Sequence, residues 1–230
     1  MKKTDNSYWI SIADLMTGLM VIFLFIAINY VLQAFKYRYV QDEIYNTLQN
    51  EFREELKQDE IELKPNGTVR FNTKGEGVLF KVGDYSLTPK MKGLLDWFIP
   101  QYIEIITQPK YLKYIKEIRI EGHTDIIPPR SGEDSYIYNL RLSSNRAMQV
   151  LQYIRDSVPY KTLPDSVRAR FDFLVTATGM SYSRALNKDG EYVFKSDNKI
   201  ISNKKSRRVE FRVVTSSDAL INDIFEMNSQ

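Results

Sequence analysis

A single aspartate stands in the most apolar stretch of the chain. Trp9 to Leu32 reads WISIADLMTGLMVIFLFIAINYVL, and Asp14 is its one ionisable side chain. A carboxylate at the centre of a membrane helix costs about 2.5–3.5 kcal/mol on insertion scales, and less near an end, so an acid placed there is a candidate for carrying an ion. Thr17 and Gly18 follow at i+3 and i+4 and share its helical face. Small and hydroxylated residues beside the carboxyl leave it room and admit a neighbouring helix. A second group lies far downstream: IEGHTD ending at Asp125, NLRLSSNRA from Asn139 to Ala147, and SRRVEF from Ser206 to Phe211. Asp125 closes an alternating apolar segment, and Arg146 falls in the first turn or so of a predicted helix. A carboxylate at such a corner suits an ammonium, while a guanidinium fork and free helix-start N–H groups suit a carboxylate. Together they fit a ligand bearing both groups, as the end of an amino acid does. An internal Asp–Arg ion pair is the plainer alternative.

Composition removes other chemistries. The chain has 230 residues, no cysteine and one histidine, so disulfides, cysteine metal sites and histidine-rich metal clusters are not expected. A formal net charge of +3 is too small to point to nucleic acid by itself. His123 is that one histidine, and without an orienting partner or metal companions a structural role is expected. The sequence shows no nucleophile–base pair and no phosphate loop, so neither catalysis nor a cofactor is expected.

The elements that must hold these residues follow from periodicity. A helix rises 1.5 Å per residue, so Trp9–Leu32 is long enough for a hydrocarbon core of about 30 Å. Its length, its acid and the lack of a small-residue cleavage site argue against a cleaved signal peptide. Lys2 and Lys3 before it balance Lys36 and Arg38 after it, so charge leaves the orientation open. Beyond it, Tyr37, Val40, Ile44, Leu48, Phe52 and Leu56 make one apolar stripe on a charged helix. That stripe suits pairing of two copies, a plug on a membrane surface, or packing on the chain's own globular part. Pro65-Asn66-Gly67 is a turn that ends the linker. Strands are predicted at Thr68–Asn72, Val78–Lys81, Tyr114–Glu121, Phe171–Thr178 and Val209–Val214. Helices are predicted at Pro89–Thr107, with a break at Pro100, and at Leu142–Val158; Glu191–Ser202 reads as an excursion or hairpin. Interleaved strands and helices predict an α/β or α+β sandwich on a mixed sheet. The expected domains are a tail 1–8, a transmembrane helix 9–34, a linker helix 35–64, a globular domain 65–217 and a tail 218–230.

The three downstream motifs resemble the OmpA-like peptidoglycan-binding domain: a strand into G-[HY]-T-D, then N-x-x-L-S-x-x-R-A on a helix, then a terminal R-R-V-E strand. The likeness covers roughly residues 75–215. It implies that Asp125 and Arg146 grip the amino-acid end of diaminopimelate in a peptide stem, with Thr124, Asn139, Leu142 and Ser143 shaping the pocket. One departure stands out: the corner IIPPRSGEDSYIY is about half a dozen residues longer than the family's, and Arg130, Glu133 and Asp134 are placed to cover the pocket or change its ligand. ADLMTGLMVIFLF resembles the membrane helix of MotB-type stator subunits, whose aspartate carries the proton. Within those relatives it is more similar to the ZorB subunits of Zorya antiphage systems than to flagellar MotB. The resemblance implies a cytoplasmic N-terminus, a periplasmic C-terminal domain in the bacterial inner membrane, and a homodimer inside a ring of multi-span A subunits (MotA- or ZorA-like) that moves H+ or Na+. A flagellar stator and a passive wall tether are the alternatives.

Overall fold

The computed structural model describes residues 5–57, 61–71, 79–112 and 114–215. The chain divides into two units, 1–39 and 40–230. Helix α1 (Asp5–Glu51) supplies all the described structure of the first unit and opens the second. Within the first unit, Tyr8–Leu32 is long and apolar enough to cross a membrane. Large apolar side chains point outward on every side of it, from Tyr8 and Trp9 to Val31 and Leu32. A helix apolar all round has no core face, which is the pattern of a segment solvated by lipid. The tail 218–230 lies outside the described residues, as does Val78 of the predicted second strand.

The second unit is built on a five-stranded sheet. Its strands are β1 (Ile61–Leu63), β2 (Val69–Phe71), β3 (Ile115–His123), β4 (Val175–Gly179) and β5 (Arg208–Thr215). They lie in the order β1-β2-β5-β3-β4. Only β3 and β4 run parallel, so the sheet is mixed, as the alternation of strands and helices predicts. One face is apolar, with Val69, Phe71, Ile118, Ile120, Val209 and Phe211 in the core. Alternate residues project to the other face and carry charge: Arg70, Arg119, Glu121, Arg208 and Glu210.

A short α2 (Arg53–Lys57) continues from α1, and α3 (Pro89–Ile106), α4 (Pro109–Leu112), α5 (Ser135–Asp156), α6 (Val158–Lys161), α7 (Asp165–Leu174) and α8 (Asn203–Ser206) follow in chain order. Helices α3 and α5 bury their apolar stripes on the core. Thr88 caps α3 by accepting from Met91 N at 3.2 Å, with Pro89 in the first turn, where a missing N–H costs nothing. The helix runs through Pro100 instead of breaking there; one lost hydrogen bond is outweighed by burial of Phe98, Ile99, Tyr102 and Ile103 on its two sides. α5 begins seven residues earlier than its apolar stripe suggests, because Asp134 accepts from Ile137 N at 2.9 Å and caps it.

Three further features depart from periodicity, and a fourth decides between its alternatives. Leu79 and Phe80 are buried in a bend, not a strand. Residues 165–174 form the helix α7, so the predicted strand from Phe171 starts only at Val175. Ile61–Leu63, at the end of the predicted linker helix, is an edge strand. Finally, Val40, Ile44, Leu48 and Phe52 are buried in this unit's core, with Phe52 ring-on-ring with Trp97 and Phe98 at 5.2 and 5.1 Å. Of the three uses the stripe suits, packing on the chain's own domain occupies these four residues.

Candidate functional site

Two glycines set the geometry of the domain's pocket. Gly122 on β3 pairs with Gly179 on β4, and α5 crosses directly over them. A Cβ at Gly122 would lie 2.0 Å from Ser143 O, and one at Gly179 would lie 2.3 Å from Ser144 Oγ and 2.5 Å from its backbone N. Close approach of helix and sheet here carries Leu142, Ser143 and Arg146 to the strand end that presents Thr124 and Asp125.

The result is a cleft of about 600 Å³ lined by Thr124, Asp125, Asn139, Leu142, Arg146 and Arg207 among others. Five of the six pocket residues named from sequence line it. The sixth, Ser143, sits behind the wall: its Oγ donates to Leu140 O at 2.9 Å and accepts from Ser181 N at 3.0 Å. Asn139 Nδ2 donates to Ile127 O at 3.2 Å and to Ser135 O at 3.0 Å, tying the long corner to α5. Thr124 is buried, and its Oγ1 has no hydrogen-bond partner among the described residues. A buried hydroxyl left unpaired costs about 1–3 kcal/mol, so it is a group awaiting one.

Asp125 and Arg146 are both in the cleft but do not pair with each other. Asp125 Oδ2 accepts from Arg207 Nη1 at 2.6 Å, and its Oδ1 accepts from Ile127 N at 3.1 Å. Arg146 is 1% exposed and spends its fork on carbonyls: Nε on Asp84 O at 3.0 Å, Nη1 on His123 O at 3.3 Å, Nη2 on Lys81 O at 3.1 Å. Its guanidinium also stacks over Phe80 at 4.9 Å. Burial lowers it to about 10, with Asp125 pulling the other way and Arg207 adding to the fall. A charged group, still protonated at neutral pH, is thus buried with no carboxylate among the described residues bonded to it, an arrangement completed by a ligand anion.

Sequence reasoning missed two parts of this site. Arg207 lies in the quoted R-R-V-E motif, yet nothing in its spacing shows that it meets Asp125, 82 positions earlier. Ser181 adopts a positive φ of 49° and clamps three segments: its N bonds Ser143 Oγ, its carbonyl accepts from Thr124 N, and its Oγ donates to Tyr136 O.

His123 lies on the opposite, charged face of the sheet. Its side chain and those of Glu121 and Glu210 bring ligand-type atoms within 4.8 Å of one another, a constellation that one histidine does not advertise. The carboxylates are already matched by guanidinium groups. Arg70 and Arg208 meet Glu210 at 2.7 and 2.6 Å, and Arg184 and Arg119 meet Glu121 at 3.0 and 3.3 Å. A divalent cation would enter among four positive charges, so the residues do not fit a metal. Burial, with the Arg208 charge, pushes His123 down to about 4. Burial alone would raise Glu210, but Arg208 and its neighbours hold it well below the usual carboxylate range.

In the membrane-length helix, Thr17 Oγ1 donates to Ala13 O at 2.8 Å, and a Cβ at Gly18 would meet nothing within 4 Å. The face beside Asp14 is therefore open among the described residues.

No protein-family model matches the chain. It is 36% identical over 240 residues to the Zorya protein ZorB of Escherichia coli strain Crooks, across 98% of this chain and 95% of that one. It is 27% identical over 225 residues to the Zorya protein ZorB of Escherichia coli O139:H28, across 92% and 81% of the two chains. In fold it is similar to a MotB-like protein from Desulfovibrio vulgaris, with a TM-score of 0.52 at 20% identity over 80% of this chain and 99% of that one. Fold and site together define a single-pass membrane protein with a periplasmic OmpA-like domain. The chain belongs to the ZorB family.

Proposed function

We propose that this chain is the B subunit of an ion-driven rotary motor of the Zorya antiphage type. Two copies sit inside a ring of a multi-span A subunit, since one helix per chain cannot enclose a path for ions. Asp14 accepts a proton (sodium would use the same carboxylate) and releases it on the other side, with Thr17 and Gly18 giving it space against a ring helix. Each charge crossing 100 mV supplies about 2.3 kcal/mol to that step. The OmpA-like domain binds peptidoglycan through Asp125 and Arg146, with Thr124, Asn139, Leu142 and Ser143 shaping the pocket, and so gives the ring a fixed frame to turn against.

The observation that carries this reading is the pairing on one chain of a lone acid in a membrane-length apolar helix with a cleft that holds a buried, anion-seeking guanidinium. A passive tether needs the second feature and has no use for the first. The expected domain bounds stand as part of the proposal, with two refinements: Ile61–Leu63 belongs to the domain's sheet and not to the linker helix, and the stripe at 40–52 is engaged with the chain's own domain, so pairing or plugging falls to other faces of the linker. Sedimentation with purified sacculi tests the wall function. The wild-type chain should pellet with sacculi and an Asp125→Ala chain should stay in solution; equal pelleting would remove the anchor from the account.

A further inference from the structure

The cleft that holds Asp125 and Arg146 is more cationic than one zwitterionic end requires. Among the described residues its charged lining is three guanidinium groups, Arg130, Arg146 and Arg207, against the single carboxylate of Asp125. Arg207 is engaged by Asp125, and Arg146 is held by carbonyls. Arg130 is exposed and makes no hydrogen bond or ion pair with the described residues. At about 600 Å³ the cleft also falls within the range that holds a drug-sized ligand, well beyond a lone amino-acid end.

Arg130 sits on the long corner, and the corner is pinned on both sides of it. Before it, Ile127 is fixed by Asp125 Oδ1 on its N–H and Asn139 on its carbonyl. After it, Glu133 takes both Arg141 nitrogens at 2.8 Å, and Asp134 caps α5. Between the pins, Pro128 and Pro129 restrict the backbone, and Gly132 takes the positive φ that turns the chain back. The backbone that carries this guanidinium is thus held at a set place beside the cleft, so that binding orders the Arg130 side chain but not the loop beneath it.

We propose that Arg130 is a specificity-determining residue of this pocket, and that the pocket selects a stem-peptide end carrying a second free carboxylate beside the zwitterionic one. Resting on the peptidoglycan reading above, this names the form of peptide the site prefers: Asp125 and Arg146 take the amino-acid end, and Arg130 takes the neighbouring acid. Amidation of that acid removes the charge Arg130 reads while leaving the primary grip intact.

The test is binding of two soluble probes to the full-length chain in detergent. One is the tripeptide L-Ala-γ-D-Glu-diaminopimelate with all carboxylates free. The other has every carboxylate amidated except the one on the zwitterionic end. The wild type should bind the free tripeptide about tenfold more tightly, a difference that shrinks as salt is raised. Arg130→Gln should bring the free tripeptide to the level of the amidated one and leave the latter unchanged; Arg130→Lys should restore part of the preference. Arg130 is on the surface, so neither change threatens folding. Equal wild-type affinity for the two probes, or an Arg130→Gln preference equal to wild type, would overturn the proposal while leaving the anchor reading standing. Absence of binding to both probes would overturn both.

Discussion

Single residues in this domain are held by more than their nearest opposite charge. Arg146 is the clearest case: three backbone carbonyls, not Asp125, fix its guanidinium. Lysine has the charge but not the planar fork, so Arg146→Lys should cost about 2–3 kcal/mol of stability and also weaken sacculus binding. Thermal melts alongside sedimentation would check both, and a stable variant would show that the fork is dispensable. His123 gives a pH signature. Its folded value near 4 lies below the ordinary 6.5, so the unfolded chain takes up the proton first as pH falls. Its contribution is complete above about 6.5 and is lost as pH falls toward 4, for a total of about 3 kcal/mol. Melts of the full-length chain between about pH 7.5 and 5.0 should show this slope, and His123→Gln should flatten it; an unchanged slope would assign it to other groups. The types of these residues are legible in sequence as G-H-T-D and R-A, but their partners are not. Asp125 meets Arg207 only because β3 and β5 are neighbours in the sheet, a pairing that local spacing does not encode.

Elements are legible where apolar residues alternate with charged ones and obscure where they do not. The terminal strand alternates cleanly and is found nearly residue for residue, at Arg208–Thr215. α7 runs directly into β4 without a turn residue between them, so periodicity merges the two. The start of α5 is set by the Asp134 cap in a polar segment with no apolar stripe to announce it. The stripe from Val40 to Phe52 is plain in sequence, but its partner is not, since any apolar face would satisfy it. Here the partner includes Trp97 and Phe98 of α3. Phe52→Ala should therefore destabilise the domain by about 3–5 kcal/mol, measured by denaturant unfolding. A cost under about 1 kcal/mol would mean that the stripe is free for another surface. Gly122→Ala should be at least as damaging as a usual overpacking change, about 3 kcal/mol, because the atom it meets is backbone and cannot rotate away.

At the scale of the whole molecule, two sites with different chemistry share one chain. The membrane unit offers an acid on a face left open by Gly18, and the domain offers a cleft with a buried guanidinium, which the proposed reading gives to a fixed wall. Neither explains the other unless force passes between them: an anchored frame makes sense of an ion-carrying acid, and the acid makes sense of an anchor. The membrane helix, the mixed-sheet domain and the family were all legible from composition, periodicity and motif order, because each is written locally. The charge surplus in the cleft was not, because it is assembled from β3, the long corner, α5 and the residue before β5. Gly18→Leu is an internal control for the membrane unit: among the described residues nothing lies against the position, so loss of assembly with the A subunit in a pull-down would report a neighbouring helix, and normal assembly would place that helix elsewhere. The most direct measurement of the central claim is phage plating on cells whose B subunit carries Asp14→Asn. Membrane insertion, co-purification with the A subunit and sacculus sedimentation should be unchanged while protection is lost altogether; full protection by the Asp14→Asn chain would show that the subunit tethers without driving.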